Sequence, residues 1–340
     1  MSERLTNILG YLTLIAILAA IWVMFGEDPS REQGGRGEAT FSGLETAIND
    51  AAAVRITSGD MSTFLNKVDG KWFVIQRDGY AADTEMVRDF LRGIALSERR
   101  QPKTDNKDRF HHLGLAETAL DIKVLDGDDR PLAAFLMGER KDSANGRSLT
   151  YIFQESDTRS WLVTGLADAS ADPAWWLDHS LFTITESRFA EITYADITIE
   201  RALGAQKYTI KDLQDGEKAQ ADWQLRDPAR LLSELTFDDV RKVANPLAEP
   251  LQRVTAKTYD GLTLTLTLFE MEGGTWAQVA ASYTPDEGEG GMLPDAPADG
   301  EGEATDIAES TYGWLFLLSD YDAGVLKRTR KDFLMEKTAE

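Results

Sequence analysis

The feature that most restricts how this chain can fold is an uncharged apolar segment near its N-terminus. Residues 8–25 read ILGYLTLIAILAAIWVMF, which is 18 residues without a charged side chain. At ~1.5 Å per residue, a helix of this length nearly spans the ~30 Å hydrocarbon core of a bilayer. The segment is apolar on all sides and is followed by Gly-rich, charged residues, which disfavours a buried helix of a globular core.

A cleaved signal peptide is the other alternative for this segment. It has no clean A-x-A cleavage site, and bulky residues occupy 22–25, where small ones are needed. We therefore predict an uncleaved membrane anchor at 8–25, after a cytoplasmic tail (1–7) and before a tether (26–49). Trp22 and Phe25 are expected near the far interface, where aromatic side chains are favoured. The predicted anchor residues are Ile8, Leu12, Ile15, Leu18, Ile21, Trp22 and Phe25.

Charge alone does not orient this anchor. Arg4 precedes it, whereas Arg31 and Arg36 follow it, so the Lys/Arg count does not decide the topology. A seven-residue tail before a single apolar segment is typical of a signal anchor. We predict a single-pass protein of the cytoplasmic (inner) membrane, with its large C-terminal region outside that membrane.

Composition limits the classes of function. A chain of 340 residues with 42% hydrophobic content can bury a large core and favours two domains. The net charge of −22 repels phosphate backbones, so we expect no nucleic-acid partner. The absence of cysteine excludes disulfides, thiolate catalysis and Cys-ligated metals.

A strand, turn and helix pattern follows the tether. Residues 54–57 and 62–65 predict a hairpin, 72–75 a third strand, and Asp83 the N-cap of a helix. The apolar residues of that helix recur at i, i+3, i+4 and i+7, which predicts one buried stripe. The stripe consists of Val87, Phe90, Leu91 and Ile94.

A similar order recurs roughly 150 residues later. Strand-like runs at 197–199 and 207–210, a third at 223–225, and a helical stripe from Val240 to Leu247 predict an internal duplication. Two unrelated stretches with the same short pattern remain an alternative. The fold class we predict is α+β, with two related sheet-plus-helix domains at 50–190 and 191–340 behind the transmembrane helix.

Each half continues with strand patterns. In the first half these lie at 120–125, 132–136, 151–153 and 161–163. In the second half LTLTLTLF (262–269) alternates Leu and Thr, so its Leu residues should share one sheet face. Further strands are predicted at 275–281 and 314–318, with a terminal helix at 322–334.

An acidic insert interrupts the second half. Residues 285–306 carry eight carboxylates, several Gly and Pro, and no basic residue, which predicts a disordered loop. A cation-binding loop is the alternative, but the carboxylates lack the spacing that surrounds calcium.

No catalytic signature is present, and we predict no catalytic, cofactor-binding or metal-binding residues. The chain lacks the serine-hydrolase, P-loop and dinucleotide-binding motifs. His111 and His112 are adjacent and should point apart, and His179 is distant in sequence. The carboxylate pairs 128–129 and 238–239 stand at a predicted turn and a predicted helix start, where capping explains them.

Trp175 and Trp176 form the clearest aromatic cluster. One interpretation is a platform that stacks on a sugar or peptide. The other is a short helix with Asp172 as its N-cap and Pro173 in its first turn, whose indoles fill the core. The second interpretation is favoured, and a possible aromatic contact through these two residues stays open.

Seven short motifs occur at 72–75, 80–83, 94–96, 112–115, 136–138, 151–153 and 175–178. Together they resemble the bacterial family known as domain of unknown function 4340. The resemblance covers residues 50–200 well and the second half more loosely, and the acidic insert departs from it. It implies a single-pass envelope protein with a large extracytoplasmic region, of a kind often associated with ABC-type transport systems of the gliding-motility type. The resemblance supplies no catalytic residues that could be carried over to this chain.

These observations favour a non-catalytic, membrane-anchored accessory or scaffold protein of a bacterial envelope assembly such as an ABC-type transport system. Its expected partners are the lipid bilayer and transporter subunits, with no cofactor. One alternative is an extracytoplasmic module that binds a glycan or peptide in a cleft between its two domains. Another is an envelope hydrolase with a dispersed pair of carboxylates.

Overall fold

A computed structural model describes residues 35–142, 148–243, 249–285 and 297–335. Within them the protein has the predicted α+β class, with two antiparallel sheets of nine and eight strands and accompanying helices. The predicted anchor, including Ile8 to Phe25, lies outside the described residues. In the part that the structure describes, no helix is both long and apolar enough to cross a bilayer.

The strands supply most of the regular structure. In chain order they are β1 Ala53–Ser58, β2 Met61–Val68, β3 Lys71–Val74, β4 Tyr80–Ala81, β5 Glu98–Pro102, β6 Leu120–Leu125, β7 Pro131–Asp142, β8 Ser148–Phe153, β9 Trp161–Thr164, β10 Phe189–Thr193, β11 Thr198–Glu200, β12 Thr209–Ile210, β13 Asp239–Lys242, β14 Gln252–Thr258, β15 Leu262–Met271, β16 Gly274–Tyr283 and β17 Trp314–Leu317.

Helices connect and cover these strands. The α-helices are α1 Leu44–Ala47, α2 Thr84–Ala95, α3 Asp222–Ser233, α4 Gly300–Thr311 and α5 Asp320–Leu326. Short 3₁₀ helices span Ile48–Asp50, Ile75–Arg77, Lys107–Leu113, Pro173–Trp176, Glu186–Arg188 and Arg330–Phe333.

The first hairpin and helix form as their local sequence predicts. β1 and β2 pair antiparallel, and Gly59 in their turn has a φ of 55°, which suits a residue without a Cβ. The Asp83 carboxylate accepts a hydrogen bond from the backbone N–H of Met86 at 3.0 Å and so caps α2. The predicted stripe of Val87, Phe90, Leu91 and Ile94 is buried.

The described residues group into two compact units. One contains residues 35–51 and 89–169, and the other contains 52–88 and 170–335. In the first unit β6, β7, β8, β9 and β5 neighbour one another in that order. Phe110, Leu115 and Phe153 form a hydrophobic cluster there. The predicted domain boundaries at 50–190 and 191–340 stay a prediction.

The second unit contains the whole eight-stranded sheet and the run β4-β3-β2-β1. The order of the eight strands is β12-β11-β10-β14-β15-β16-β17-β13. Its run β14-β15-β16-β17-β13 repeats the pattern β6-β7-β8-β9-β5, and α3 precedes β13 as α2 precedes β5. This order is consistent with a repeat.

β15 shows why alternation is a reliable strand signal. Its residues pair with β16 from Leu262 opposite Tyr283 to Met271 opposite Gly274, as the pattern predicts. Because side chains alternate between the two faces of a strand, every Leu falls on the same side. Leu262, Leu264, Leu266 and Leu268 are all buried.

The prediction of a strand at 223–225 was wrong, because these residues begin helix α3. Leu225, Ala229 and Leu232 repeat at helical spacing and are buried. Pro228 lies inside this helix and lacks the N–H that would bond to the carbonyl of Gln224. Arg328 Nη1 lies 3.4 Å from that carbonyl oxygen and supplies a weak replacement.

The predicted helix from Val240 was also wrong. Residues 239–242 form β13, which pairs antiparallel with β17, and 244–248 lie outside the described residues. Asp239 is therefore not at a helix start but in a strand, where it forms an ion pair with Arg77. The terminal helix is shorter than predicted, since α5 ends at Leu326 and a 3₁₀ helix follows.

The acidic insert is only partly as predicted. Residues 286–296 lie outside the described residues, but α4 begins at Gly300, so disorder through 306 was wrong for this part. Asp299 caps the helix by accepting from the N–H of Gly302 at 2.8 Å. The negative charge of Glu301 and Glu303 in the first turn suits the positive end of the helix dipole.

Candidate functional site

Helix α4 packs against the rest of the protein through three buried side chains. Ala304, Ile307 and Thr311 are its buried side chains. The hydroxyl of Thr311 lies 2.7 Å from the carbonyl oxygen of Ile307 and 3.2 Å from that of Val279 in β16. The C-terminal end of α4 is therefore held against β16.

The N-terminal end of α4 also touches β16. A Cβ placed on Gly300 would clash with the ring of Tyr283, so this close approach requires glycine. The helix thus runs beside the last residues of β16 and contacts them at both of its ends.

β16 has an open edge at this place. It pairs with β15 from Gly274 to Tyr283 but with β17 only at Trp276 and Ala277. Beyond Ala277, the β17 side of β16 has no strand partner among the described residues. Sheet edges without a partner present backbone donors and acceptors that can pair with another chain.

The direction of the backbone identifies which groups lie on that edge. Leu318 donates its N–H to the carbonyl of Thr275 at 2.9 Å, so the backbone carbonyl of Thr275 points toward the β17 side. Because successive residues point to alternate sides, Ala281 and Tyr283 also point their N–H and C=O groups that way. Within the described residues, these groups of Ala281 and Tyr283 have no backbone partner on this side.

A groove of about 510 Å³ lies between this edge and α4, and we call it the edge groove. Three consecutive residues of β16, Ala281, Ser282 and Tyr283, line its strand side. All three follow Ala277, the last residue of β16 that pairs with β17, so the groove borders the open part of the strand. Its helix side is formed by Glu301, Ala304, Thr305, Ala308, Glu309 and Tyr312.

The edge groove has an apolar floor and an acidic rim. Alanine supplies the floor at positions 281, 304 and 308, and Tyr312 is 85% exposed at one end. Glu301 and Glu309 carry the charges, and none of the described residues that line the groove is basic. Its surface therefore favours an apolar occupant with positive charge.

A second cleft of about 610 Å³ lies on the opposite face of α4, beside residues 181–183. Glu303 lines it, but this carboxylate is engaged by the buried Arg188 at 2.7 and 2.6 Å. Asp260 accepts two further hydrogen bonds from the same guanidinium, at 3.2 and 2.6 Å. The Arg188 side chain thus holds α4 to the sheet.

The ionisation of this triad agrees with a structural role. Burial by itself disfavours the charged guanidinium, but the hydrogen bonds with Glu303 and Asp260 outweigh it and raise the pKa of Arg188. Burial would raise the pKa of Asp260, yet its hydrogen bonds with Arg188 hold that pKa below its usual value. Both groups therefore stay charged near neutral pH.

The carboxylate of another buried acid, Asp227, also has hydrogen-bond partners. Asp227 in α3 accepts hydrogen bonds from Arg328 at 2.7 Å and from the hydroxyl of Tyr321 at 2.8 Å, and Arg230 lies 3.3 Å away.

Asp322 is an acid whose pKa is shifted upward. Burial raises the pKa of its carboxyl group, and the charge of nearby Asp238 raises it further. Ser319 caps α5, because its hydroxyl oxygen accepts a hydrogen bond from the backbone N–H of Asp322 at 3.1 Å.

The predicted tryptophans lie in a 3₁₀ helix capped by Asp172. Trp176 is fully buried and donates its indole N–H to the carbonyl of Ser170 at 2.8 Å, as the core interpretation expects. Trp175 is half-buried and contacts Trp176 edge to face. Neither residue lines the edge groove.

The three histidines do not come together at one site. The rings of His111 and His112 lie with their centroids 3.8 Å apart and their planes tilted by 45°, so the expectation that they point apart was wrong for this 3₁₀ helix. The ring of His179 donates to the carbonyl of Phe237 at 2.6 Å. Over the described ranges, no group of three or more His, Cys, Asp or Glu could hold a metal ion.

The edge groove was missed from sequence because its helix was assigned to a disordered loop. A signal was present, since Asp299 precedes two acids and the apolar spacing of Ala304, Ile307 and Ala308. The unpaired edge of β16 had no local signal, because it depends on where β17 leaves the sheet.

Residues 72–255, more than half of the chain, match the family model described as Domain of unknown function (DUF4340). The match reaches further into the second half than the sequence motifs do. No curated protein matches the chain, and no solved structure matches it.

Proposed function

We propose a function for this chain as a member of the family described as Domain of unknown function (DUF4340), to which it belongs. The protein is a non-catalytic accessory or scaffold of a bacterial envelope assembly, of the kind formed around an ABC-type transporter. One observation carries this proposal, namely the edge groove with its open strand edge. Such a surface suits contact with another protein rather than turnover of a substrate.

The pairing of charged groups supports the same conclusion. Arg188, Asp260 and Glu303 bind one another, and Asp227 binds Arg328 and Tyr321. Paired and satisfied in this way, these groups stabilise the fold and hold α4 in place. The helix can then act as a rigid wall of the edge groove.

The membrane part of the proposal rests on sequence. The apolar run at 8–25 would hold the large region outside the cytoplasmic membrane, with the tether of 26–49 between them. Such anchoring raises the effective concentration of the protein near a membrane partner. The transporter subunit is the partner class that we propose.

We also propose that the two sheets arose by internal duplication. The repeated strand order supports this, with α3 and not residues 240–247 as the counterpart of α2. The polar residues before α3 obscure this relation in the sequence.

The test of the proposed function uses the full chain with a C-terminal affinity tag. We expect membranes of the native host, dissolved in mild detergent, to yield a membrane-protein partner in fixed stoichiometry. Removing residues 1–25 should release the protein from the membrane fraction. A protein that stays in that fraction without this segment, or that isolates without any membrane protein, would refute the proposal.

A ligand-binding module is the second candidate. The exposed ring of Tyr312 beside the edge groove favours it, since aromatic rings stack on sugars. Titration with envelope oligosaccharides should then show binding that Tyr312→Ala abolishes and Trp223→Ala, at another exposed aromatic, does not. An absence of binding to the unaltered protein would eliminate this candidate.

A further inference from the structure

We infer that the edge groove binds an extended segment of a partner protein, which adds a strand to β16 and places Lys or Arg side chains beside Glu301 and Glu309. This inference rests on the proposed function and specifies how the partner is held. It is a binding mode in which backbone hydrogen bonds give affinity and alternate side chains give specificity.

The backbone of β16 offers the required groups. Ala281 and Tyr283 each direct an N–H and a C=O toward the groove, two residues apart. A strand laid along this edge would pair with both residues in the pattern of the existing sheet. Ser282 directs its own backbone groups to the opposite side, toward β15, and takes no part.

The dimensions of the groove fit a short strand. Its helix side extends from Glu301 to Tyr312, which spans about 16 Å at ~1.5 Å per residue. An extended chain rises ~3.3 Å per residue, so roughly five residues would match the length of α4. Only those beside Ala281 and Tyr283 would pair with β16, because the carbonyl of Val279 already accepts from the Thr311 hydroxyl. Alanines at 281, 304 and 308 leave room for the apolar side chains that point inward.

Charge selects the occupant. Glu301 and Glu309 line the groove without a basic residue beside them, so a segment with Lys or Arg is attracted. The chain's own residues 286–296 carry four carboxylates, Asp286, Glu287, Glu289 and Asp295, and no basic residue. Repulsion between like charges disfavours that segment, so we assign the groove to a partner.

The experiment uses the full chain in mild detergent and a synthetic nine-residue peptide in which valine and lysine alternate. We expect it to bind and to slow hydrogen exchange at the amides of Ala281 and Tyr283. A peptide of alternating glycine and lysine has the same charge but a low strand propensity, and it should bind at least about tenfold more weakly. A valine–glutamate peptide should not bind.

Two variants separate strand addition from charge attraction. Ala281→Pro removes an edge N–H that points away from β15, so the sheet tolerates it, and the affinity should fall about tenfold or more. Glu309→Lys should weaken binding by a similar factor. The matched control Asp306→Lys makes the same charge change on the opposite face of α4 and should alter the affinity less than about twofold.

Several outcomes would overturn the inference. These are an absence of binding by the valine–lysine peptide, unaltered affinity in Ala281→Pro, or equal effects of the changes at Glu309 and Asp306. Protection of the Ala281 amide in the unbound protein that disappears when 286–296 are deleted would assign the groove to the chain itself. A dimer that Ala281→Pro dissociates would assign it to a second copy.

The proposed function can survive failure of this inference. If the membrane-protein partner co-purifies equally with wild type and Ala281→Pro, the protein is an accessory that docks elsewhere. If no partner co-purifies with wild type although the peptide binds, the groove is correct and the proposed function is wrong.

Discussion

The guanidinium of Arg188 meets the carboxylate of Asp260 through two hydrogen bonds, Nε to Oδ1 at 3.2 Å and Nη2 to Oδ2 at 2.6 Å. Both side chains are buried, although the residues are 72 positions apart in the chain. The pair joins the 3₁₀ helix before β10 to the turn between β14 and β15. Glu303 binds the same guanidinium and attaches α4, the wall of the edge groove, to this point.

Breaking this pair should destabilise the protein. Asp260→Ala leaves a buried guanidinium with one carboxylate, and we expect the free energy of unfolding to fall by about 3 kcal/mol, the lower end for such losses. Urea denaturation followed by circular dichroism measures it. The control Glu301→Ala removes an exposed carboxylate from the first turn of α4 and should change stability by less than about 1 kcal/mol. A loss as small as that of the control would show that the pair contributes little.

The same carboxylate should contribute to acid sensitivity. Its pKa is lowered in the folded protein, so its stabilising effect is complete above the unfolded pKa of ~3.9 and is lost as the pH falls through the folded pKa. The difference in unfolding free energy between wild type and Asp260→Asn should therefore shrink from pH 5.5 to pH 3. The other acids titrate alike in both proteins, so their contributions cancel in this difference. A difference independent of pH would contradict this assignment.

Trp176→Ala should be strongly destabilising because the indole is fully buried and its N–H is hydrogen-bonded. We expect a loss of about 3–5 kcal/mol in the free energy of unfolding, as for other large aromatic residues in cores. Trp223 is 67% exposed, and Trp223→Ala should cost less than about 0.5 kcal/mol. Thermal denaturation of the two variants compares them directly. Equal melting temperatures would contradict a core role for Trp176.

Two glycines in helices should respond oppositely to alanine. At Gly300 a Cβ clashes with the Tyr283 ring, so Gly300→Ala should lower the free energy of unfolding by about 1–3 kcal/mol. Gly324 in α5 has no atom near its Cβ position, so Gly324→Ala should raise it by about 0.5–1 kcal/mol. Chemical denaturation measures both. A stabilising Gly300→Ala would mean that α4 does not approach Tyr283 this closely.

The local sequence was sufficient to predict a helix or strand where its side-chain pattern is repeated over several residues. The α2 stripe, the Asp83 cap and the alternation in β15 were all predicted, because helix and strand periodicities are properties of neighbouring residues. The same reasoning failed at 223–225 and 240–242. Short apolar runs fit a helix and a strand equally well, and only β17 decided that 239–242 is a strand.

The sequence by itself determined the α+β class, most strands and their buried faces, because hydrophobic burial acts on the side-chain pattern of each segment. Only the tertiary structure decided the edge groove and the Arg188 triad. Arg188 and Glu303 are 115 residues apart, and the open edge of β16 depends on β17 turning toward β13. Such contacts arise from how segments pack on one another, and no single segment carries a pattern that specifies them.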